Sequence, residues 1–74
     1  MYLMDGIEGN EYIVCEVRLP CAIEKRMEAI GVIQGTKLTL LKKKPSALVV
    51  SIRGARFAMG KSIAENIQVN EVLL

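Results

Sequence analysis

Histidine and tryptophan are absent from this 74-residue sequence, and its only aromatic residues are Tyr2, Tyr12 and Phe57. Without histidine, the chain lacks the side chain that most often serves as a general base or a transition-metal ligand near neutral pH. With three aromatic residues, it cannot build the aromatic-lined groove that binds polyproline peptides. We therefore assign no catalytic residue and expect that the protein is not an enzyme.

Cysteine is also scarce, since Cys15 and Cys21 are the only two. A small secreted domain held together by disulfides usually has more cysteines, and this spacing is not the Cys-x-x-Cys pair of structural zinc sites. We expect two reduced thiols, with a single disulfide as the alternative. Cys15 is in phase with Ile13 and Val17, which predicts a small core residue. No metal or cofactor site is predicted.

The sequence has neither a long apolar run nor a strong excess of one charge. No run approaches the roughly 18–20 residues that span a bilayer, and the first ten residues lack the basic region of a signal peptide. Ten basic residues against eight acidic ones leave a net charge of +2, which is too weak to predict nucleic-acid binding. We expect one domain over residues 1–74, in the cytoplasm and outside the membrane.

One basic run, Lys42–Lys44, precedes Pro45. We interpret this run as a solvated turn. Single-stranded nucleic acids bind best where aromatic side chains stack on the bases, and these lysines have no aromatic residue beside them in the sequence. An RNA-binding barrel that uses these lysines is the minor alternative.

Hydrophobic residues make up 51% of the chain, and most of them alternate with polar ones as in β-strands. Residues 61–65 could form one helical turn. Five short strands are expected to bury their apolar faces by curling into a small barrel, which makes the fold mainly β. The predicted strands are Tyr12–Arg18, Thr36–Lys43, Leu48–Arg53, Ala55–Met59 and a short closing strand that includes Ile67 and Val69. Alternation places Leu38 and Leu40 on one face of the second strand, and turns Leu48, Val50 and Ile52 of the third strand inward.

A single amphipathic helix is predicted between the first two strands. Pro20 suits the first helical turn, and Gly31 stands where a chain leaving a helix often needs a positive φ. The apolar residues at helical spacing are Ile23, Met27 and Ile30. We interpret this stripe as a plug on one end of the barrel. Val32 and Ile33 follow, and because adjacent residues of an extended segment cannot both point inward, one of them should be exposed.

The run Arg26–Gly35 resembles the Arg-Leu-x-x-Leu-Gly-Leu-x-x-Gly motif of FeoA, the small accessory protein of bacterial ferrous-iron uptake. The sequence departs from the family pattern at Gly60, where the family often has arginine, and at Gly6, where it often has leucine. Further matching features occur in the family's order along nearly the whole chain: Leu3, Gly9, Lys44-Pro45, Phe57-Ala58-Met59, Ala64, Ile67 and Val69.

This resemblance implies an SH3-like barrel with a helix inserted after the first strand. It also implies a cytoplasmic protein that acts by contact with FeoB, a membrane permease with a cytosolic GTPase domain. A similar barrel closes the C-terminus of iron-dependent repressors of the DtxR type, whose DNA-binding and metal-sensing domains would not fit in 74 residues. A small metal-binding or iron-responsive protein, using Cys15, Cys21 and the acidic N-terminal segment, is the alternative function.

The helix exit is both the strongest family motif and the expected partner surface. Gly31 and Gly35 are predicted to form its structural turn. The candidate partner contacts are Arg26, Val32, Ile33 and Gln34.

Overall fold

Strands and helices follow the predicted order. The computed structural model describes residues 1–73. The bounds of the first four predicted strands lie within one residue of the observed ones. The elements are a 3-10 turn at Leu3–Asp5, β1 Glu11–Val17, α1 Cys21–Ala29, β2 Lys37–Lys44, β3 Ala47–Ile52, β4 Ala55–Gly60, the single helical turn α2 Lys61–Ala64, and β5 Ile67–Glu71.

All strand pairs are antiparallel, and the sheet has the order β4-β3-β2-β1-β5. The N-terminal residues cover the outer edge of β5: the Val69 amide donates to the Met1 carbonyl at 2.8 Å, and Tyr2 forms a β-bridge with Gln68. The sheet curls around one apolar core, so the predicted mainly β, SH3-like architecture with one inserted helix is confirmed.

The core is aliphatic, as the shortage of aromatic residues predicts. The inward faces of β2 and β3 are those expected from alternation. Tyr12 is the one aromatic side chain that is fully buried, and its hydroxyl accepts a hydrogen bond from the Ile7 amide at 2.8 Å, which satisfies its polar end. The other buried apolar residues are Leu3, Val14, Val32, Leu38, Leu40, Leu48, Val50, Ile52, Met59, Ala64, Ile67 and Val69.

The predicted core face of β1 is wrong. Tyr12 and Val14 are buried, whereas Ile13 is exposed and Cys15 is only half-buried. A β-bulge at Cys15 shifts the register against β5, so that Val17 also packs against the core. Both faces of this strand carry apolar residues, and alternation alone could not choose between them.

A second bulge lies in β2 at Leu41. Leu40 pairs with Val50, and the next pair joins Lys42 to Val49, which leaves Leu41 without a direct partner in β3. The extra residue reverses the side-chain alternation. Lys42 is therefore on the same outer face of the sheet as Val49, although strict alternation from the buried Leu40 would turn it inward.

α1 ends in a Schellman motif, which confirms the role predicted for Gly31. The Gly31 amide donates to the Glu28 carbonyl at 3.0 Å, and the Val32 amide donates to the Met27 carbonyl at 2.8 Å. Gly31 has a φ of +96°, which L-residues with a side chain rarely adopt. Met27 and Ile30 pack against the core while no residue of α1 is fully buried, so the helix covers the barrel with one stripe.

The inward face of β2 can be tested with two adjacent leucines. Leu40 is fully buried and Leu41 is 38% exposed. We expect Leu40→Ala to lower the free energy of unfolding by about 2–5 kcal/mol, and Leu41→Ala by less than about 1 kcal/mol. Urea unfolding followed by circular dichroism measures both. Equal losses for the two variants would contradict the inward orientation of Leu40.

The positive φ of Gly31 predicts that Gly31→Ala lowers the free energy of unfolding by about 1–2 kcal/mol. An added Cβ would lie 3.4 Å from Ile52 Cγ2, an ordinary contact, so the cost comes from the backbone. Gly60→Ala is the control, because Gly60 is extended and open space surrounds its Cα. Its effect should stay within about 0.5 kcal/mol. Thermal or urea unfolding of Gly31→Ala that matched Gly60→Ala would exclude a left-handed Gly31.

Candidate partner-binding surface

The turn that follows α1 is held to the helix and to β1 by hydrogen bonds. Thr36 Oγ1 donates to the Gly31 carbonyl at 2.6 Å, and the Thr36 amide donates to the Ile33 carbonyl at 3.1 Å. The Gly35 amide donates to the Val14 carbonyl at 2.8 Å, and Gly35 has a φ of +89°. These bonds make residues 31–36 a fixed surface with little freedom to lose on binding.

Val32 and Ile33 face opposite ways, as expected for adjacent residues. Val32 is 1% exposed and lies in the core, while Ile33 is 45% exposed. The Schellman motif gives the physical reason, since it directs the residue after Gly31 back onto the helix, where Val32 follows the apolar stripe. Val32 therefore offers no surface to a partner, and its predicted role as a partner contact is wrong.

A groove of about 250 Å³ lies beside the exposed Ile33, between α1 and β1. Two helix residues one turn apart form one wall, three β1 residues form the other, and the turn closes one end. The lining residues are Cys15, Glu16, Val17, Glu24, Glu28, Ile33 and Gln34. We call this the acidic groove.

Three carboxylates give the acidic groove its charge. Glu16 pairs with Arg18, whose Nε lies 3.1 Å from Glu16 Oε1. This hydrogen bond, and after it the charge of Glu16, raises the pKa of the Arg18 guanidinium. Within residues 1–73, neither Glu24 nor Glu28 has a basic group within ion-pair distance. The groove thus combines an exposed aliphatic side chain with two uncompensated negative charges.

The predicted contact residues do not form one patch. Ile33 and Gln34 line the acidic groove. Arg26 is exposed, but it lies about 200° around the helix from both Glu24 and Glu28. Sequence reasoning missed the glutamates as site residues. Their i, i+4 spacing predicts one helix face, but not which strand that face lies beside.

The residues proposed for metal binding are not brought together. In the part of the chain that the structure describes, no group of three cysteine or carboxylate side chains is arranged to hold a metal ion. Both cysteines are free thiols. The N-terminal carboxylates have other partners: Glu8 accepts the Lys43 amide at 2.9 Å, and Glu11 lies 3.1 Å from Lys37 Nζ. Over the same residues, no helix has the length and apolar character needed to cross a bilayer.

The similarity to known proteins extends over most of the chain. A Methanocaldococcus jannaschii protein that carries the name Fe(2+) transport protein A is 28% identical over 64 residues, which are 86% of this chain and 78% of that protein. The FeoA protein of Chlorobium tepidum superimposes with a TM-score of 0.92 at 27% identity, over 99% of this chain and 71% of that one.

Two further structures are similar at lower identity and therefore show the fold alone. One is a crystal structure described as an iron uptake regulatory protein, FeoA, with a TM-score of 0.90 at 23% identity over 97% of each chain. The other is a manganese-dependent transcriptional repressor, with a TM-score of 0.88 at 19% identity over 97% of this chain and 41% of the repressor. The profile of the FeoA domain matches residues 1–71, and the chain therefore belongs to the FeoA domain family.

Proposed function

We propose that this protein is a cytoplasmic accessory protein of ferrous-iron uptake that binds the cytosolic part of a FeoB-like GTPase-permease. Membership of the FeoA domain family and similarity to a protein named for Fe(2+) transport support the role in uptake. Action through a protein contact, without catalysis, agrees with a chain that has no histidine.

The observation that carries the proposal is the fixed exposure of Ile33. An aliphatic side chain that is 45% exposed would cost free energy in water, and the hydrogen-bonded turn prevents it from folding inward. A preorganised apolar anchor loses little conformational entropy on binding. Protein interfaces typically have well-packed apolar side chains at their centre and polar residues at their rim.

The charge of the acidic groove indicates what the partner must present. Glu24 and Glu28 border Ile33 without ion-pair partners among residues 1–73. A complementary surface has a pocket for an aliphatic side chain and at least one lysine or arginine beside it. Charge pairing at the rim increases the association rate and fixes the orientation more than it increases affinity.

Ile33→Ala should raise the Kd for the FeoB cytosolic domain by at least about tenfold, as loss of an interface anchor does. Isothermal titration calorimetry with apo, GDP-bound and GTP-analogue-bound FeoB domain measures it. Ile7→Ala is the matched control, because Ile7 is also an exposed isoleucine but lines a separate groove. Loss of affinity in both variants would place the contact elsewhere. The absence of binding in every nucleotide state, together with normal iron uptake in a deletion strain, would refute the proposal.

The double variant Glu24→Gln/Glu28→Gln should slow association with the same FeoB domain and make the association rate less sensitive to salt. Both side chains lie on a helix with no fully buried residue, so its folding should be unaffected. Stopped-flow association at about 0.05 and 0.5 M NaCl gives the two salt dependences. An unchanged salt dependence would exclude the acidic groove from the encounter.

A further inference from the structure

Charge is strongly segregated along the chain although the net charge is small. Six of the eight acidic residues precede residue 29, and residues 29–64 contain no aspartate or glutamate. This segment spans β2, β3, β4 and all of α2. Its basic residues are Lys37, Lys42, Lys43, Lys44, Arg53, Arg56 and Lys61.

The strand register places three of these cations on one face of the sheet. Lys42 lies opposite Val49, and Lys44 lies opposite Ala47. Arg56 lies opposite Ser51, which is on the same side of β3 as Val49. The bulge at Leu41 is what turns the two lysines to this outer side. We call Lys42, Lys44 and Arg56 the basic sheet face.

Small residues lie between these cations. The cross-strand neighbours on this side are small: Ala58 lies opposite Val49, and Gly60 lies opposite Ala47. Phe57 lies opposite the buried Val50 and packs against the core, so no aromatic ring stands on the outer side of β3 and β4. A face without rings has no platform for stacking bases. Its apolar side chains are few: Val49 is half-buried, and Leu41, next to Lys42 in the chain, is 38% exposed.

These cations are not neutralised by the chain itself. Among residues 1–73, the ion pairs use Arg18 and Lys37, and neither belongs to the basic sheet face. The carboxylates of Asp5 and Glu8 line a groove at its margin with Lys44 and other residues. The Glu8 carboxylate already accepts a hydrogen bond from the Lys43 amide.

We propose that the basic sheet face binds the anionic headgroups of a lipid bilayer. Exposed lysine and arginine side chains can each attract a headgroup, and mobile lipids rearrange around them without a shaped pocket. A nucleic acid would need a groove-reading element or stacking rings, and a protein would need a larger apolar centre than one partly exposed leucine and a half-buried valine provide. The acidic groove lies on β1 and α1, so the two surfaces are on different elements. The proposal goes beyond the proposed function and does not depend on it.

The test is flotation of the purified full-length protein with vesicles and no other protein. Vesicles of phosphatidylcholine with about 30% phosphatidylglycerol should bind the protein at 0.1 M NaCl, and pure phosphatidylcholine should not. Binding should be lost at 0.5 M NaCl because salt screens exposed charges. Lys42→Gln/Lys44→Gln should weaken the partition coefficient about thirtyfold, from the usual contribution of each cation near an anionic membrane.

Lys25→Gln/Arg26→Gln is the matched control, because it removes two exposed cations from α1 that form no ion pair among residues 1–73. It should keep most of the binding, with both variants melting near the wild-type temperature. Equal loss of vesicle binding in the two variants would mean that net charge alone explains the binding. That result would overturn the assignment to the basic sheet face. Binding to a mixed RNA with no binding to anionic vesicles would overturn it in favour of nucleic acid. Failure here leaves FeoB binding in calorimetry unaffected, so the two proposals fail separately.

Discussion

The left-handed conformation of Gly31 is the constraint on which the candidate binding surface depends. It allows the Met27 and Glu28 carbonyls to be satisfied by the next two amides of the chain. The same reversal places Val32 in the core and Ile33 in water. Thr36 then donates to the Gly31 carbonyl, which couples the end of the helix to the start of β2. One backbone conformation therefore determines which of two adjacent aliphatic residues is available to a partner.

In the sheet, two bulges determine which side chains face outward. Each adds one residue and reverses the alternation of side chains beyond it. The bulge at Cys15 keeps Glu16 in the acidic groove while Val17 packs against the core. The bulge at Leu41 turns Lys42 and Lys44 to the outer side of the sheet. Both charged surfaces thus arise from irregularities in the strands, because regular alternation would turn Glu16 and Lys42 toward the core.

Sequence reasoning predicted the order of elements and the inward faces of β2 and β3, because Leu38, Leu40 and the β3 residues alternate clearly with polar ones. It failed for β1, whose two faces are similarly apolar until the bulge is known. It could state that Val32 or Ile33 must be exposed, but the choice follows from the hydrogen bonds of the helix end. The acidic groove could not be predicted, since it exists only where α1 lies beside β1.

The separation between stability and binding follows from where these residues lie. A domain of this size buries a limited fraction of its surface, so each core contact contributes a large share of a small total. Leu40 and Gly31 contribute to the free energy of unfolding, so substitutions there affect both folding and binding. Ile33, Glu28 and Lys42 project into water from backbone that is fixed by other residues. Substitution of these side chains should leave the stability of the barrel unchanged. A loss of binding in such a variant can therefore be attributed to the surface itself.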